Sequence, residues 1–124
     1  MSQKTIKIIG WVMTIILALL FIMSAFMKLT QNETALAQAT SFGIDAKTYQ
    51  IIGLVEIISL VLFLIPRTAI IGTLLLIAYL GGAIVTHLQH QQPIAMAIII
   101  QIFLWITAFV RFPELKQRLL STEN

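Results

Sequence analysis

The sequence predicts an all-α protein, a transmembrane antiparallel four-helix bundle with both termini cytoplasmic, and three observations carry that prediction. Hydrophobic residues make up 59% of the 124 positions and charged residues only 10%, against roughly 25% charged residues in an ordinary soluble domain. The apolar residues gather into four runs, each near the roughly 20 residues that a helix needs to cross a hydrocarbon layer. Short turns join most of these runs, as in an up-down-up-down bundle. The spans are expected at about residues 6–27, 49–65, 69–88 and 94–110, within a single domain over 1–124.

Span 1 follows Lys4 and Lys7 as the core of a signal peptide would. Its apolar run exceeds the roughly 7–15 residues of such a core, and Ser24-Ala25-Phe26-Met27-Lys28 offers no small residues in cleavage spacing, so it is expected to be retained. Residues 29–48 are polar and turn-rich, with a possible short interfacial helix over 34–39 before Phe42-Gly43-Ile44-Asp45. Span 2 ends at Pro66, which cannot continue the helix ladder, so Pro66-Arg67-Thr68 forms a tight corner. Span 3 gives way to a polar hinge over residues 87–93, and span 4 to a polar, surface-bound tail over 111–124.

Orientation follows from the basic residues. Lys4, Lys7, Arg67, Arg111, Lys116 and Arg118 fall on one side, against Lys28 and Lys47 on the other. The richer side is expected to be cytoplasmic, in a multi-pass protein of a cell membrane, of the bacterial inner membrane type. The net charge of +3 therefore reports orientation and gives no patch for nucleic acid. With no cysteine, thiol catalysis and cysteine-ligated metal or iron–sulfur sites are excluded. The sequence also lacks a glycine-rich phosphate loop, a metal-binding carboxylate cluster and a nucleophile–base pair, so no catalytic residue and no metal ligand is assigned.

Glu56 interrupts span 2, and an ionisable group at that depth is costly enough to read first as functional. Counting about 1.5 Å per residue from Pro66 and Arg111 places Glu56 and Gln101 about 15 Å deep, near the middle of a roughly 30 Å core. Tyr79 lies slightly higher, Ser24 higher again, and Lys28 and His87 near the outer surface. Polar groups thus climb from the centre outward. The cytoplasmic half holds only Thr14, Thr73 and Thr107, which argues for access from outside and against proton or ion conduction. Helical spacing puts Gly53, Glu56, Ser59 and Leu60 on one face and Ala97, Gln101, Trp105 and Ala108 on another, with Ser24 one turn below Lys28. Ala78, Gly82 and Thr86 form a ridge of small residues that reads as helix packing.

Each candidate has a plainer alternative. Glu56 could merely pin helix packing, although an inter-helix hydrogen bond contributes only about 0.6 kcal/mol in a membrane. Lys28 could either snorkel to the interface or act with Glu56. His87 and His90 are weak as a metal pair, and His87 alone could relay a proton or touch a ligand at the site mouth. Gln101 and Tyr79 read as hydrogen-bond partners of Glu56. Trp11 reads as an interface anchor, and Trp105 as either lipid-facing or part of a pocket wall.

The strings Phe21-Ile22-Met23-Ser24-Ala25-Phe26-Met27-Lys28-Leu29, Gly53-Leu54-Val55-Glu56, Ile65-Pro66-Arg67-Thr68-Ala69 and Gly81-Gly82-Ala83-Ile84-Val85-Thr86-His87-Leu88 resemble the DoxX-like family of small four-helix membrane proteins. The family pattern of a Lys ending helix 1, a Glu within helix 2 and a His ending helix 3 is matched by Lys28, Glu56 and His87. The resemblance covers nearly the whole chain. It implies the four-helix fold and, from a namesake subunit of a thiosulfate:quinone oxidoreductase and members found with stress-defence oxidoreductases, a place beside membrane redox enzymes. A eukaryotic branch that assists receptor assembly implies a scaffold role instead.

Two functions are therefore expected. In one, the bundle is a binding module without catalytic activity of its own, holding a quinone-like or other lipophilic molecule or lipid in an outward-opening site. Glu56, Gln101, Tyr79, Lys28, His87, Ser24 and Trp105 would form that site, and a membrane oxidoreductase subunit would be its partner. In the other, the chain is an assembly or scaffold factor and Glu56 only fixes packing. The lipid bilayer is a partner in both, nucleic acid in neither, and a homo-oligomer is compatible with both. A ligand-sized cavity on the Glu56 face favours the first, a sealed face the second.

Overall fold

The computed structural model describes residues 1–121 and is all-helical over them. Its elements are α1 (Gln3–Thr30), α2 (Glu33–Ser41), α3 (Ala46–Leu64), α4 (Ala69–Gln89), α5 (Ala95–Arg111) and α6 (Pro113–Leu120). Helices α1, α3, α4 and α5 are the four expected spans. They pack as a ring in which α3 touches α1 and α4, and α5 touches α4 and α1.

Local signals set the boundaries. The side chains of Ser2, Asn32 and Asp45 accept hydrogen bonds from the backbone N–H of Thr5, Ala35 and Thr48, each satisfying an orphan donor of a helix start. Helix α1 stops where Gln31 adopts a left-handed conformation, with φ of 53°. Pro66 stops α3, and the Thr68 hydroxyl donates to the Leu62 carbonyl across the corner at 2.8 Å. The short helix expected over 34–39 is α2, extended at both ends. The tail turns away from α5 at 107° and continues as α6, with Pro113 in its first turn. Thr122, Glu123 and Asn124, at the end of the expected surface-bound tail, lie outside the described residues.

Helices α1, α3 and α4 are each long and apolar enough to cross a membrane, while α5 with its 17 residues sits at the lower limit of a span. Their outward faces expose Leu19, Met23, Ile71, Ile99 and Ile102, an apolar belt that suits lipid and not water. Inside, Leu17, Phe21, Leu60, Phe63, Leu76, Leu80 and Leu104 form the central core. A smaller cluster of Ala35, Ala39, Phe42 and Tyr49 seats α2 over one end, and Ala69, Ala108 and Phe112 close the end where α1 begins and α5 meets α6. Thr14, Thr73 and Thr107 are buried, and each hydroxyl donates to the carbonyl four residues earlier. The hydroxyl hydrogens of the expected cytoplasmic half are thus all used locally.

Arg111 ties the terminal end together. Its Nη1 donates to the Phe63 carbonyl at 2.7 Å and its Nη2 to the Leu64 carbonyl at 3.3 Å, supplying partners for the last turn of α3. Its guanidinium lies 4.5 Å from the Trp11 ring centre. The expected interface anchor Trp11 therefore also packs on the cation that ends α5.

Two glycines allow the close helix contacts. A methyl at Gly72 would fall on the backbone of Phe63 and Leu62, and one at Gly53 would sit 2.7 Å from Lys28 Cβ. Gly81, by contrast, faces open space. Gly72→Ala is expected to lower unfolding stability in detergent by ~3 kcal/mol, the upper end of overpacking costs. Gly81→Ala should leave it unchanged or slightly higher, because alanine is the better helix former. Equal losses in the two variants would contradict the packing described.

Candidate functional site

Side-chain direction brings the central charges together. Helical Cα–Cβ bonds tilt toward the helix N-terminus, and α1 and α3 run in opposite directions. Lys28, near the end of α1, therefore leans back into the bundle, while Glu56 on α3 leans up toward it. Counting along the helices puts Lys28 near the outer edge, yet its Nζ lies 3.1 Å from Glu56 Oε2. Glu56 is 1% exposed and Lys28 7%. Snorkelling is thus replaced by an internal ion pair. The absence of a side chain at Gly53, one turn from Glu56, leaves the room through which the Lys28 stem passes.

Three donors converge on one carboxylate oxygen. Glu56 Oε2 accepts from Lys28 Nζ, from the Ser24 hydroxyl at 3.2 Å and from the Tyr79 hydroxyl at 3.0 Å. Lys28 also donates to Ser24, one turn below it on α1. The ammonium lies 5.3 Å from the Tyr49 ring centre and 5.8 Å from that of Tyr79, within the range of favourable cation–π attraction. Glu56 Oε1, in contrast, is buried and has no hydrogen-bond partner among the described residues. A buried acceptor without a donor is costly, so Oε1 is the atom of the cluster best placed to accept a hydrogen bond from a ligand.

The cluster lines a cavity of about 470 Å³ in the half of the bundle away from the termini, a size typical of small-molecule sites. Ser24, Lys28, Glu56, Tyr79 and His87 contribute its polar wall, and Phe21, Leu80, Met96 and Ile100 much of its apolar wall. Helix α2 covers it with Gln38 and Phe42, and the Tyr49 hydroxyl donates to Gln38 Oε1 at 3.0 Å. His87 Nδ1 lies 2.6 Å from the Ala83 carbonyl. A carbonyl only accepts, so Nδ1 carries the hydrogen, and in the neutral ring Nε2 remains an acceptor. The Phe42 ring packs edge-on against His87, with centroids 4.9 Å apart.

Two expected site residues lie elsewhere. Gln101 Nε2 donates to the Ile77 carbonyl at 3.3 Å, and the side chain lines no part of this cavity. Trp105 packs edge-on against Phe109 and is likewise outside the cavity wall. The physical reason is helix rotation: the core-facing stripe of α5 is Leu104, Thr107 and Ala108, which shares Ala108 with the expected face but is rotated about the axis away from Gln101 and Trp105. The polar cluster comes from α1, α3 and α4 instead, and α5 offers only apolar wall. The small-residue ridge on α4 is also different in kind, since Gly82 and Thr86 face the cavity and nothing lies within 4 Å of a methyl placed on Gly82.

Sequence reasoning missed Gln38, Phe42, Tyr49 and Thr86. A signal existed for Tyr49, which precedes Glu56 by seven residues and so shares its helix face. None existed for Gln38 and Phe42, whose place depends on how α2 folds back. Among the described residues no group of three or more His, Asp or Glu could hold a metal ion.

A family model described as the DoxX-like family matches residues 12–110. No curated protein and no solved structure matches the chain. The match includes Ser24, Lys28, Glu56, Tyr79 and His87, so the whole polar wall lies inside the family region.

Removing one partner of a buried ion pair leaves an uncompensated charge, which costs about 3–5 kcal/mol. Lys28→Met is therefore expected to lose ~3 kcal/mol of unfolding stability in detergent. In the Lys28→Met/Glu56→Gln double variant at least ~1 kcal/mol should return, because the charge is removed with its partner. Strictly additive losses in that double-mutant cycle would mean that the two groups act separately.

Proposed function

Since the chain belongs to the DoxX-like family, we propose that this integral membrane protein is a binding module that holds a lipophilic small molecule of quinone-like shape in its intramembrane cavity. The observation that carries the reading is Glu56 Oε1, a buried acceptor without a partner on a carboxyl group that lines an otherwise largely apolar wall. An apolar pocket with a few convergent polar groups is what a lipophilic ligand with a polar head requires. The ring system would lie between Phe21, Leu80 and Ile100, with its polar substituent at Glu56 and a second near His87 Nε2. Tyr79 and Ser24 position the carboxyl group, and Lys28 pairs with it through Oε2.

The chain encodes no electron carrier, so its role in a redox complex would be to hold or deliver the molecule to a membrane oxidoreductase subunit. We place the basic terminal end in the cytoplasm of a bacterial cell by the excess of Lys and Arg there, and the cavity then lies toward the outer side. The apolar belt would let the ligand arrive through the bilayer.

The Lys28–Glu56 pair itself favours a second reading. It joins α1 to α3 and uses Oε2 fully, as a group that fixes packing in an assembly or scaffold factor would.

Native mass spectrometry with organic extraction, on wild type beside Glu56→Gln, separates the two. A defined lipophilic molecule is expected in the wild type, with occupancy lowered at least tenfold in the variant, which keeps its fold. Equal occupancy in both would remove the carboxylate from ligand binding, and bulk lipid alone in both would favour the scaffold reading.

A further inference from the structure

At the end of the bundle that carries both termini, the first turns of α1, the α3–α4 corner and the α5–α6 bend enclose a second cavity of about 630 Å³, whose wall includes Gln3, Lys7, Trp11 and Arg111. Two cations share it, and no carboxylate lines it. Among the described residues the ion pair is Lys28–Glu56 alone, so neither Lys7 nor Arg111 has an anionic partner. Arg111 is nevertheless held in place. Its two carbonyl acceptors and the Trp11 face fix the plane of the guanidinium. Those contacts are uncharged, so they orient the cation without neutralising it, and they leave the remaining N–H groups of the fork for an anion. A planar fork of this kind matches the oxygens of a phosphoryl group.

The surroundings indicate what carries that group. Arg111 ends α5, and Trp11 lies at the level where indole rings favour the membrane interface, which is the level of lipid headgroups. An apolar groove of about 840 Å³ runs along α1, α5 and α6 and shares Ile6, Val110 and Pro113 with the cavity. A molecule with its anionic head between Lys7 and Arg111 can thus lay an acyl chain in the groove without crossing the bundle.

We propose that this cavity is a binding site for the phosphoryl headgroup of an anionic phospholipid, clamped by Arg111 and Lys7. The site is at the opposite end from Glu56 and does not depend on the function proposed for that cavity.

The test is native mass spectrometry of the full chain released from nanodiscs that contain equal phosphatidylglycerol and phosphatidylcholine of the same acyl composition. The wild type is expected to retain phosphatidylglycerol selectively. Lys7 is exposed, so Lys7→Gln keeps the fold and should lower phosphatidylglycerol retention about fivefold, the weight of one interfacial basic residue, with phosphatidylcholine unchanged. Lys4→Gln, outside the cavity wall, should retain lipid as wild type does. Equal retention of the two lipids by the wild type, or equal losses in Lys4→Gln and Lys7→Gln, would overturn the site. Displacement of phosphatidylglycerol by millimolar inorganic phosphate would transfer the site to a soluble phosphoryl compound and overturn the lipid assignment.

Discussion

Glu56, a carboxyl group 1% exposed in the interior of an otherwise apolar helix, imposes the constraint around which one half of this bundle is organised. A buried carboxyl group needs partners, and the fold surrounds it with an ammonium, a hydroxyl and a phenol drawn from two other helices. The opposed directions of α1 and α3 make this possible, because the same backward tilt of side chains points Lys28 and Glu56 at each other. Gly53 is part of the same arrangement, since any larger residue would meet the Lys28 stem and the α1 backbone. The ion pair therefore sets the approach of α1 to α3, and that approach in turn leaves the cavity on the α4 and α5 side.

The two ends of the bundle solve the problem of buried polarity differently. At the basic end, Arg111 gives two of its donors to carbonyls of the last turn of α3, and three aromatic rings lie near its guanidinium. Between the ends, the buried threonines bond within their own helices. Nothing titratable continues the path from Glu56 through this layer. The titratable side chains of the interior thus gather at the upper cavity and the basic rim, with a leucine and phenylalanine core between them.

Helix α2 has a role that a connecting loop could not fill. Its two buried alanines let it lie close on α1 and α3, and it carries Gln38 to Tyr49 and Phe42 to His87. The cavity is consequently roofed by a short element with few buried side chains. Elements of this kind open at the lowest free-energy cost.

The sequence alone determined the apolar character, the all-helical class and the order of the apolar runs, because hydrophobic run length and charge placement are one-dimensional properties that a bilayer reads directly, and its resemblance to the family picked out Lys28, Glu56 and His87. It also fixed a helix face for Glu56, whose neighbours Gly53, Ser59 and Leu60 are all buried as spacing requires. What it could not settle was how each helix is rotated against its neighbours, since that is set by contacts between segments distant in the chain. That ambiguity misplaced Gln101 and Trp105 and assigned the Gly82 ridge to packing. Only the tertiary structure decided which three helices meet at the carboxylate, that Lys28 turns inward and that α2 folds over the cavity, because these follow from side-chain directions and close contacts between segments distant in the chain.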